Sequence, residues 1–309
     1  MKYIVTGGVG FIGSNLVDRL LEDGHEIVII DNLENDESRR RFESKEFSSW
    51  NINNPTIINE DIATITDFSA FYNADGMFHL AALPQVQPSI NNPIKYHSVN
   101  VNGTLNMLVA CKEMGIKRFV FSSSSAVYGD VKSLPTTEAA DLNPVSPYGL
   151  HKLIGEQYCQ LFDKIYDMET FSLRYFNVFG PRQPLSGDYS LVMGKFANQL
   201  LNKSPLTING DGEQRRDFIY VGDVVDANIA CMTIDSSKNN IINIGSGYNI
   251  SVNELADMLS KTAPRINNPP VIEARETLAN IETATNLLNW TPKIKLGDWI
   301  ETYKEELEL

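Results

Sequence analysis

Three side chains in this sequence could together remove a proton from a hydroxyl group. Tyr148 and Lys152 are four residues apart in a segment with helical periodicity, so they share one helix face. A free tyrosine titrates near pH ~10, and the positive charge of a lysine one turn away favours its ionised form. Lowering that pKa by about three units requires roughly 4 kcal/mol of differential stabilisation. Ser124, at the end of a strand-like segment, could hydrogen-bond the reacting hydroxyl and orient it.

A glycine-rich turn near the start of the chain gives this constellation a context that the tyrosine–lysine spacing alone lacks. The segment TGGVGFIGS carries Gly7, Gly10 and Gly13 at intervals of three, between a predicted strand and a predicted helix. The first glycine permits a tight turn, the second lets a pyrophosphate approach the main chain, and the third lets the helix pack closely on the sheet. The amides of Phe11 and Ile12 at the helix start would bind the phosphates. The pattern predicts a dinucleotide site, the alternative being a purely structural turn.

A carboxylate downstream indicates which dinucleotide would bind. Asp31 ends the second predicted strand, 18 residues after Gly13. A carboxylate there accepts hydrogen bonds from the adenosine ribose and repels a 2′-phosphate. The sequence therefore favours NAD over NADP, although arginines at 39–41 follow eight or more residues later.

Hydrophobic patterning places these residues on alternating strands and helices. Strands are predicted at 2–6, 26–31, 57–59, 77–81, 118–123 and 170–176, and helices at 11–22, 93–114 and 147–166. This alternation predicts an α/β fold with a Rossmann-like doubly wound parallel sheet. The connection 32–55 is rich in Asn, Ser, Arg and Glu, so we expect a mobile surface loop there with little core.

Turn-rich segments replace the alternation after about residue 178. We expect helices at 188–202 and 251–262, a strand at 241–245 that rejoins the main sheet, and two short helices within 281–308. The sequence thus predicts a Rossmann domain of residues 1–177 plus about 217–247. A smaller C-terminal substrate-binding lobe would consist of residues 178–216 and 248–309.

Composition excludes several classes of function. The chain has 309 residues and a net charge of −13, which disfavours binding to nucleic acid. It shows no secretory signal and no apolar run of the roughly 20 residues that a membrane span requires, so we expect a cytoplasmic protein. The three cysteines and four histidines show no metal-ligand spacing, so no metal is expected.

A series of ordered motifs resembles the extended short-chain dehydrogenase/reductase family. They are TGGVGFIGS, DNL (31–33), HLAA (79–82), NVNGT (100–104), SSSSAVYG (122–129), YGLHK (148–152), RYFNVFGPRQ (174–183) and GDGEQRRDFIYVGDVV (210–225). The match spans nearly the whole chain. Within the family the sequence is most similar to the UDP-glucose and UDP-N-acetylglucosamine 4-epimerases.

This resemblance implies roles for individual residues. Tyr148 would be the base, with Lys152 as its partner and Ser124 as a second hydrogen-bond donor. The resemblance implies an NAD site formed by Gly7, Gly10, Phe11, Ile12, Gly13, Asp31, Asn32, Asp61, Ile62, Leu80, Ala81, Ala82, Asn100, Ser122, Tyr148, Lys152 and Phe176. It implies substrate contacts from Ser124, Asn177, Val192, Arg216 and Arg275. The implied reaction is 4-epimerisation of a UDP-hexose by transient oxidation at C4, in a homodimer formed through helices 93–114 and 147–166.

Local differences separate this chain from related subfamilies. Sugar 4,6-dehydratases carry an Asp-Glu pair where this chain has Ser125 and Ala126, which cannot eliminate water. Pro270 stands where a diphosphate-binding arginine is expected, and Thr277 matches a position that limits the sugar when it is tyrosine. Further departures are Gln87 in VQPS, Gly194 and Asn209.

Two other functions stay open on the sequence alone. The chain could be another nucleotide-sugar enzyme of this family, such as a dehydratase, a decarboxylase or a reductase. It could also be a non-catalytic NAD-binding protein, although intact Ser124, Tyr148 and Lys152 argue against that. As an alternative to a substrate contact, Arg216 could be a surface residue that pairs with Asp217 or Asp223.

Overall fold

A seven-stranded parallel sheet forms the centre of the protein. The structure is a computed structural model that describes residues 1–43, 47, 50, 55–187, 190–235 and 240–308. The strands are β1 (Lys2–Thr6), β2 (Glu26–Ile30), β3 (Thr56–Ile58), β4 (Gly76–His79), β5 (Arg118–Ser124), β6 (Glu169–Tyr175) and β10 (Asn240–Ile244). Their order is β10-β6-β5-β4-β1-β2-β3, so the winding reverses beside β1. In such a sheet, ligands bind outside the carboxyl ends of the strands at the point of reversal.

Helices cover both faces of this sheet. They are α1 (Phe11–Glu22), α2 (Asp36–Glu43), α3 (Val86–Asn91), α4 (Pro93–His97), α5 (Thr104–Met114), α6 (Pro147–Tyr166) and α8 (Val221–Thr233). A π-helical segment, Ser98–Gly103, joins α4 to α5. Leu16 of α1 and Val224 of α8 pack on one face, whereas Leu108 of α5 and Phe162 of α6 pack on the other. The predicted Rossmann-like α/β fold is confirmed.

The remaining elements form a second hydrophobic cluster. A three-stranded sheet contains β7 (Asn177–Phe179), β9 (Arg215–Tyr220) and β11 (Asn249–Ser251), and a two-stranded sheet pairs β8 (Leu206–Asn209) with β12 (Arg265–Asn268). Helices α7 (Val192–Leu201), α9 (Val252–Leu259) and α11 (Leu296–Glu306) complete this part, whereas Ala284 and Leu288 of α10 (Glu282–Leu288) are buried in the core of the central sheet. Phe196, Leu206, Leu255 and Ile300 are buried together in its core. The division of the chain into the two predicted domains stays a prediction.

The expected mobile loop at 32–55 is wrong in its described parts. Residues Asp36–Glu43 form α2, and Phe47 and Trp50 are buried in the main core. The two rings stack with centroids 4.2 Å apart, and the Trp50 indole N–H donates to Asp18 Oδ1 at 2.8 Å. The polar composition of the segment gave no sign that its two aromatic residues are buried. The rest of the segment, residues 44–46, 48–49 and 51–54, lies outside the described residues.

Close packing of α1 on the first turn depends on Gly13. A Cβ atom added there would lie 2.0 Å from the carbonyl oxygen of Gly7, which no side chain can tolerate without movement of the backbone. The glycine therefore sets how closely the start of the helix approaches the turn after β1, whereas the sequence predicted that it would allow close packing on the sheet.

We predict that Gly13→Ala lowers the free energy of unfolding by about 1–3 kcal/mol, because the added methyl group overpacks a backbone contact. Thermal and urea unfolding would measure the change. The matched control is Gly297→Ala in α11, where the nearest atom to the new methyl group is the flexible Met258 Cε at 3.4 Å. The control should stay within about 0.5 kcal/mol of the wild type. Equal stability of the two variants would contradict the proposed constraint.

Candidate active site

The glycine turn after β1 has the geometry of a phosphate cradle. Gly7 has a φ of 68°, and a Cβ atom on it would lie 2.8 Å from the Ala81 amide nitrogen. The Gly10 amide donates to the Gly7 carbonyl oxygen at 3.1 Å, and α1 begins at the next residue. No side chain of the described residues caps this helix start. The positive end of the helix dipole therefore faces the turn and is available to a phosphate.

Asp31 closes the turn from the end of β2. Its carboxylate accepts hydrogen bonds from the amides of Val9 and Leu33, both at 3.0 Å. Burial raises the pKa of this carboxyl group, and the two amides act against that rise. Each oxygen keeps a lone pair for a further donor, so the group can accept hydroxyl hydrogens of a ribose while it fixes the turn.

The three predicted catalytic residues meet where β5 ends beside the start of α6. The Lys152 ammonium donates to the Ser122 carbonyl oxygen at 2.7 Å and lies 5.9 Å from the centre of the Tyr148 ring. Ser124 hydrogen-bonds the Tyr148 hydroxyl. Gly149 allows this approach, because a Cβ atom there would lie 2.5 Å from the Ala126 carbonyl oxygen. The sequence predicted this grouping.

The pKa values of Tyr148 and Lys152 are shifted in directions that the sequence predicted only in part. Burial raises the pKa of the Tyr148 phenol, and its hydrogen bond with Ser124 opposes that rise. Burial lowers the pKa of Lys152 to about 8, against opposing effects of Cys159 and Glu156. At Tyr148 burial therefore outweighs the lowering of the phenol pKa that the sequence predicted from nearby positive charge.

The predicted substrate residues are only partly brought together. Asn177 donates from its side-chain amide to the Asp217 carbonyl oxygen at 3.2 Å. Arg216 is buried and pairs with Glu273 at 2.5 Å, rather than with either aspartate considered from the sequence. Arg275 does not reach the site: its exposed guanidinium pairs with Asp211 at 2.8 Å. Both carboxylate oxygens of Asp211 accept from this guanidinium, and its substrate contact stays a prediction.

One cavity of about 660 Å³ connects these groups. Its wall contains the predicted residues Gly7, Gly10, Phe11, Ile12, Gly13, Asp31, Asn32, Asp61, Ile62, Leu80, Ala81, Ala82, Ser122, Ser124, Tyr148, Lys152, Phe176, Asn177, Val192 and Arg216. Asn100 and Arg275 are not part of this wall. Asn100 is buried behind it, where its amide group exchanges hydrogen bonds with the main chain of Leu83 at 2.8 and 2.9 Å. The direct ligand roles of all these residues stay predictions.

The cavity wall also contains polar residues that the sequence did not single out as ligands. Gln85, Gln214 and Glu273 all line it. Gln214 and Glu273 come from segments that lie far apart in sequence, and Glu273 accepts hydrogen bonds from both Gln214, at 3.3 Å, and Arg216, at 2.5 Å. No spacing in the sequence signals such a contact.

Several known proteins are similar to this chain in sequence and in structure. Residues 3–245 match the NAD-dependent epimerase/dehydratase family. The chain belongs to this family. A protein of Methanocaldococcus jannaschii, provisionally named a UDP-glucose 4-epimerase, is 37% identical, with 96% of this chain and 95% of that protein covered. The UDP-N-acetylglucosamine 4-epimerase of Methanobrevibacter ruminantium, solved with UDP-N-acetylmuramic acid, gives a TM-score of 0.87 at 35% identity, covering 99% of this chain and 97% of that one.

A third relative was solved with a different sugar nucleotide. The UDP-glucuronic acid 4-epimerase of Bacillus cereus, solved with UDP-glucuronic acid and NAD, gives a TM-score of 0.89 at 32% identity, covering 100% of this chain and 99% of that one. Together the comparisons confirm the family, the NAD cofactor and the class of enzyme that the sequence predicted. The glycine cradle, the uncapped helix start and the half-buried carboxylate of Asp31 fit this dinucleotide.

The described residues provide neither a metal-binding cluster nor a membrane-spanning helix. No group of three or more His, Cys, Asp or Glu side chains among them could hold a metal ion. No helix that they form is both long and apolar enough to cross a bilayer.

We predict that Asp31→Ala weakens NAD binding by roughly 10- to 100-fold, because a charge-assisted hydrogen bond contributes about 1.5–3 kcal/mol. Binding of NADP should weaken less, because the same carboxylate repels a 2′-phosphate. Titration calorimetry with both dinucleotides would measure the two changes. Asp67→Asn is the control, since Asp67 also accepts from a backbone amide, that of Ser69 at 2.9 Å, but does not line the cavity. Equal losses for both dinucleotides in Asp31→Ala would argue against recognition of the ribose.

Proposed function

We propose that this protein is a 4-epimerase of a UDP-hexose, either UDP-glucose and UDP-galactose or their N-acetylated forms. The observation that carries the proposal is the meeting of Ser124, Tyr148 and Lys152 in one cavity with the dinucleotide turn. Relatives named as 4-epimerases of UDP-glucose, UDP-N-acetylglucosamine and UDP-glucuronate support the reaction class.

The proposed mechanism assigns one task to each residue. NAD would be held by the glycine turn and Asp31, and when bound it would supply the hydride acceptor and donor for C4 together with a positive ring near the Tyr148 phenol. Tyr148, as the phenolate, removes the O4 proton of the sugar. It returns the proton after the 4-keto sugar has rotated in the cavity to present its opposite face. Ser124 holds the same oxygen by a hydrogen bond, and Lys152 stabilises the phenolate electrostatically. No second substrate is consumed, because oxidation and reduction cancel within a cycle.

Elimination of water is not supported by this cavity. Ser125 and Ala126 line it beside Ser124, at the positions where a dehydratase carries an acid and a base. A serine hydroxyl is too weak an acid and base, and a methyl group has no exchangeable proton, so neither can replace a carboxyl group in elimination. The chain therefore has groups for removal of the O4 proton but no acid and base at these positions.

The charges along the cavity favour a neutral hexose over a uronate. Three cationic side chains line the wall in the described residues: Lys152, Lys195 and Arg216. Lys152 donates to the Ser122 carbonyl oxygen, Arg216 pairs with Glu273, and Lys195 is exposed on α7. A sugar carboxylate beside Tyr148 would be desolvated without a dedicated cation, which is costly.

The test is incubation of the purified protein and NAD with UDP-glucose, UDP-N-acetylglucosamine and UDP-glucuronate, followed by separation of the products. We predict interconversion of at least one neutral pair at unchanged mass and at least tenfold lower kcat/KM for the uronate. Tyr148→Phe is the matched control: it should keep the fold and NAD binding but lose turnover, because it lacks only the hydroxyl. Loss of water or of CO₂ from a substrate would contradict the proposal, and so would near-native turnover by the control.

We also propose that two copies associate through α4 and α6. Ile94 and Leu150 line one surface groove, and their side chains are 83% and 46% exposed. Leu161 and Ile165 add exposed apolar surface further along α6. Exposed apolar side chains grouped on neighbouring helices in this way are typical of an interaction site.

We expect sedimentation of the wild type at twice the monomer mass, and dissociation of Ile94→Lys with Ile165→Lys at micromolar concentration. The control is Ile266→Lys on β12, a residue of comparable exposure away from these helices, which should leave the mass unchanged. A monomeric wild type at the same concentration would end this proposal.

A further inference from the structure

A fully buried ion pair lies directly behind the candidate catalytic residues. The side chains of Glu156 in α6 and Arg174 in β6 are each 1% exposed. Arg174 donates from Nε to Glu156 Oε1 at 2.9 Å and from Nη2 to Oε2 at 2.7 Å, which makes the pair bidentate. Burying two charges costs several kcal/mol per ion, and an apolar replacement is often at least as stable. Stability alone therefore gives a weak reason for the pair.

The same carboxylate also binds the strand that carries Ser124. The Ser123 hydroxyl donates to Glu156 Oε1 at 2.5 Å. One helical turn earlier, the Lys152 ammonium donates to the carbonyl oxygen of the neighbouring residue, Ser122, at 2.7 Å. Two consecutive residues of β5 are thus tied to two consecutive turns of α6. These ties fix the position of the helix along the strand at the residue before Ser124.

We propose that Glu156 is a positioning residue for the reaction, which aligns α6 with the end of β5 so that Ser124 and Tyr148 hold the sugar hydroxyl together. Glu156 itself lies eight residues after Tyr148 and does not line the cavity. This inference rests on the proposed function. A displacement of about 1 Å at the reacting groups is enough to cost roughly 100-fold in rate.

Arg174 extends the alignment to the other side of the site. Its Nη1 atom donates to the Tyr128 hydroxyl at 2.8 Å, and that hydroxyl donates to Asn243 Oδ1 at 2.6 Å. The Asn243 amide in turn donates to the carbonyl oxygens of Thr136, at 2.9 Å, and Asn280, at 3.3 Å. A continuous polar network therefore joins α6 to the segment that contains Thr277 of the cavity wall.

Glu156 also affects the charge of Lys152. Its negative charge raises the pKa of that ammonium, which burial lowers to about 8. The titratable groups that face Lys152 are Tyr148, His151, Glu156 and Cys159 of α6 and His79 of β4. Replacing Glu156 by a neutral residue removes the one carboxylate of this set. Lys152 should then lose its proton at lower pH.

The experiment compares Glu156→Gln with a double variant, Glu156→Leu and Arg174→Met, in the holoenzyme. The double variant removes the pair without leaving a buried charge unpaired, so it should stay folded, with a melting temperature near that of the wild type. We expect kcat to fall roughly 10- to 100-fold in both, with KM for the UDP-hexose within about threefold of the wild type. In Glu156→Gln the alkaline limb of the kcat profile should also move to lower pH.

Glu169→Gln is the matched control, because Glu169 pairs with Arg118 at the opposite end of the same two strands. Its kcat and pH profile should equal those of the wild type. A folded double variant with near-native kcat, or an unchanged alkaline limb in Glu156→Gln, would overturn this inference alone. A wild type that converts no UDP-hexose would overturn the proposed function and this inference with it.

Discussion

The site depends on one positive charge kept in a place where water cannot stabilise it. The Lys152 ammonium is buried, and its hydrogen bond to the Ser122 carbonyl oxygen is the contact that holds it beside Tyr148. Burial weakens the charged form, since it lowers the pKa to about 8, only about one unit above neutral pH. The neighbouring carboxylate of Glu156 acts in the opposite direction. The polar groups packed behind α6 can be understood as compensation for this cost of burial.

The same balance explains why the tyrosine is not reactive by itself. Its burial raises the pKa of the phenol, so the protein alone keeps Tyr148 protonated at neutral pH. A second cation next to the ring would lower that pKa, and the dinucleotide turn that would bring one opens into the same cavity. In the proposed mechanism, proton removal would then be limited to the enzyme with NAD bound.

Patterns of short range made most of the fold and the inner site predictable from the sequence. The bounds of α6, Pro147–Tyr166, coincide with the predicted helix because its apolar periodicity is regular and Ser146 caps its start. Gly7 and Asp31 follow from their spacing in the first strand–turn–helix–strand segment. Ser124, Tyr148 and Lys152 follow from their places at the end of one strand and on one helix face. The helix α2 and the buried Trp50 were missed because a polar segment gave no periodic signal.

Contacts between distant segments were not predictable in the same way. Nothing in the sequence pairs Arg216 with Glu273 rather than with Asp217. That aspartate is instead buried, where it accepts hydrogen bonds from the amides of Ser246, Gly247 and Ala279 and so fastens two loops. Asn100, expected on the wall, supports Leu83 from behind. Each of these outcomes depends on which loops meet in three dimensions.

The path of the chain through β9 affects how the sugar specificity of such an enzyme can change during evolution. Strand β9 belongs to the small three-stranded sheet, yet its last residue is followed at once by α8, which packs on the central sheet. Segments that would hold the nucleotide-sugar thus alternate along the chain with segments of the central sheet domain. They cannot be replaced as one continuous piece. Recombination between relatives would break the hydrophobic core at several crossings. Changes of specificity are therefore expected to accumulate through single replacements along the cavity wall, at positions such as Thr277.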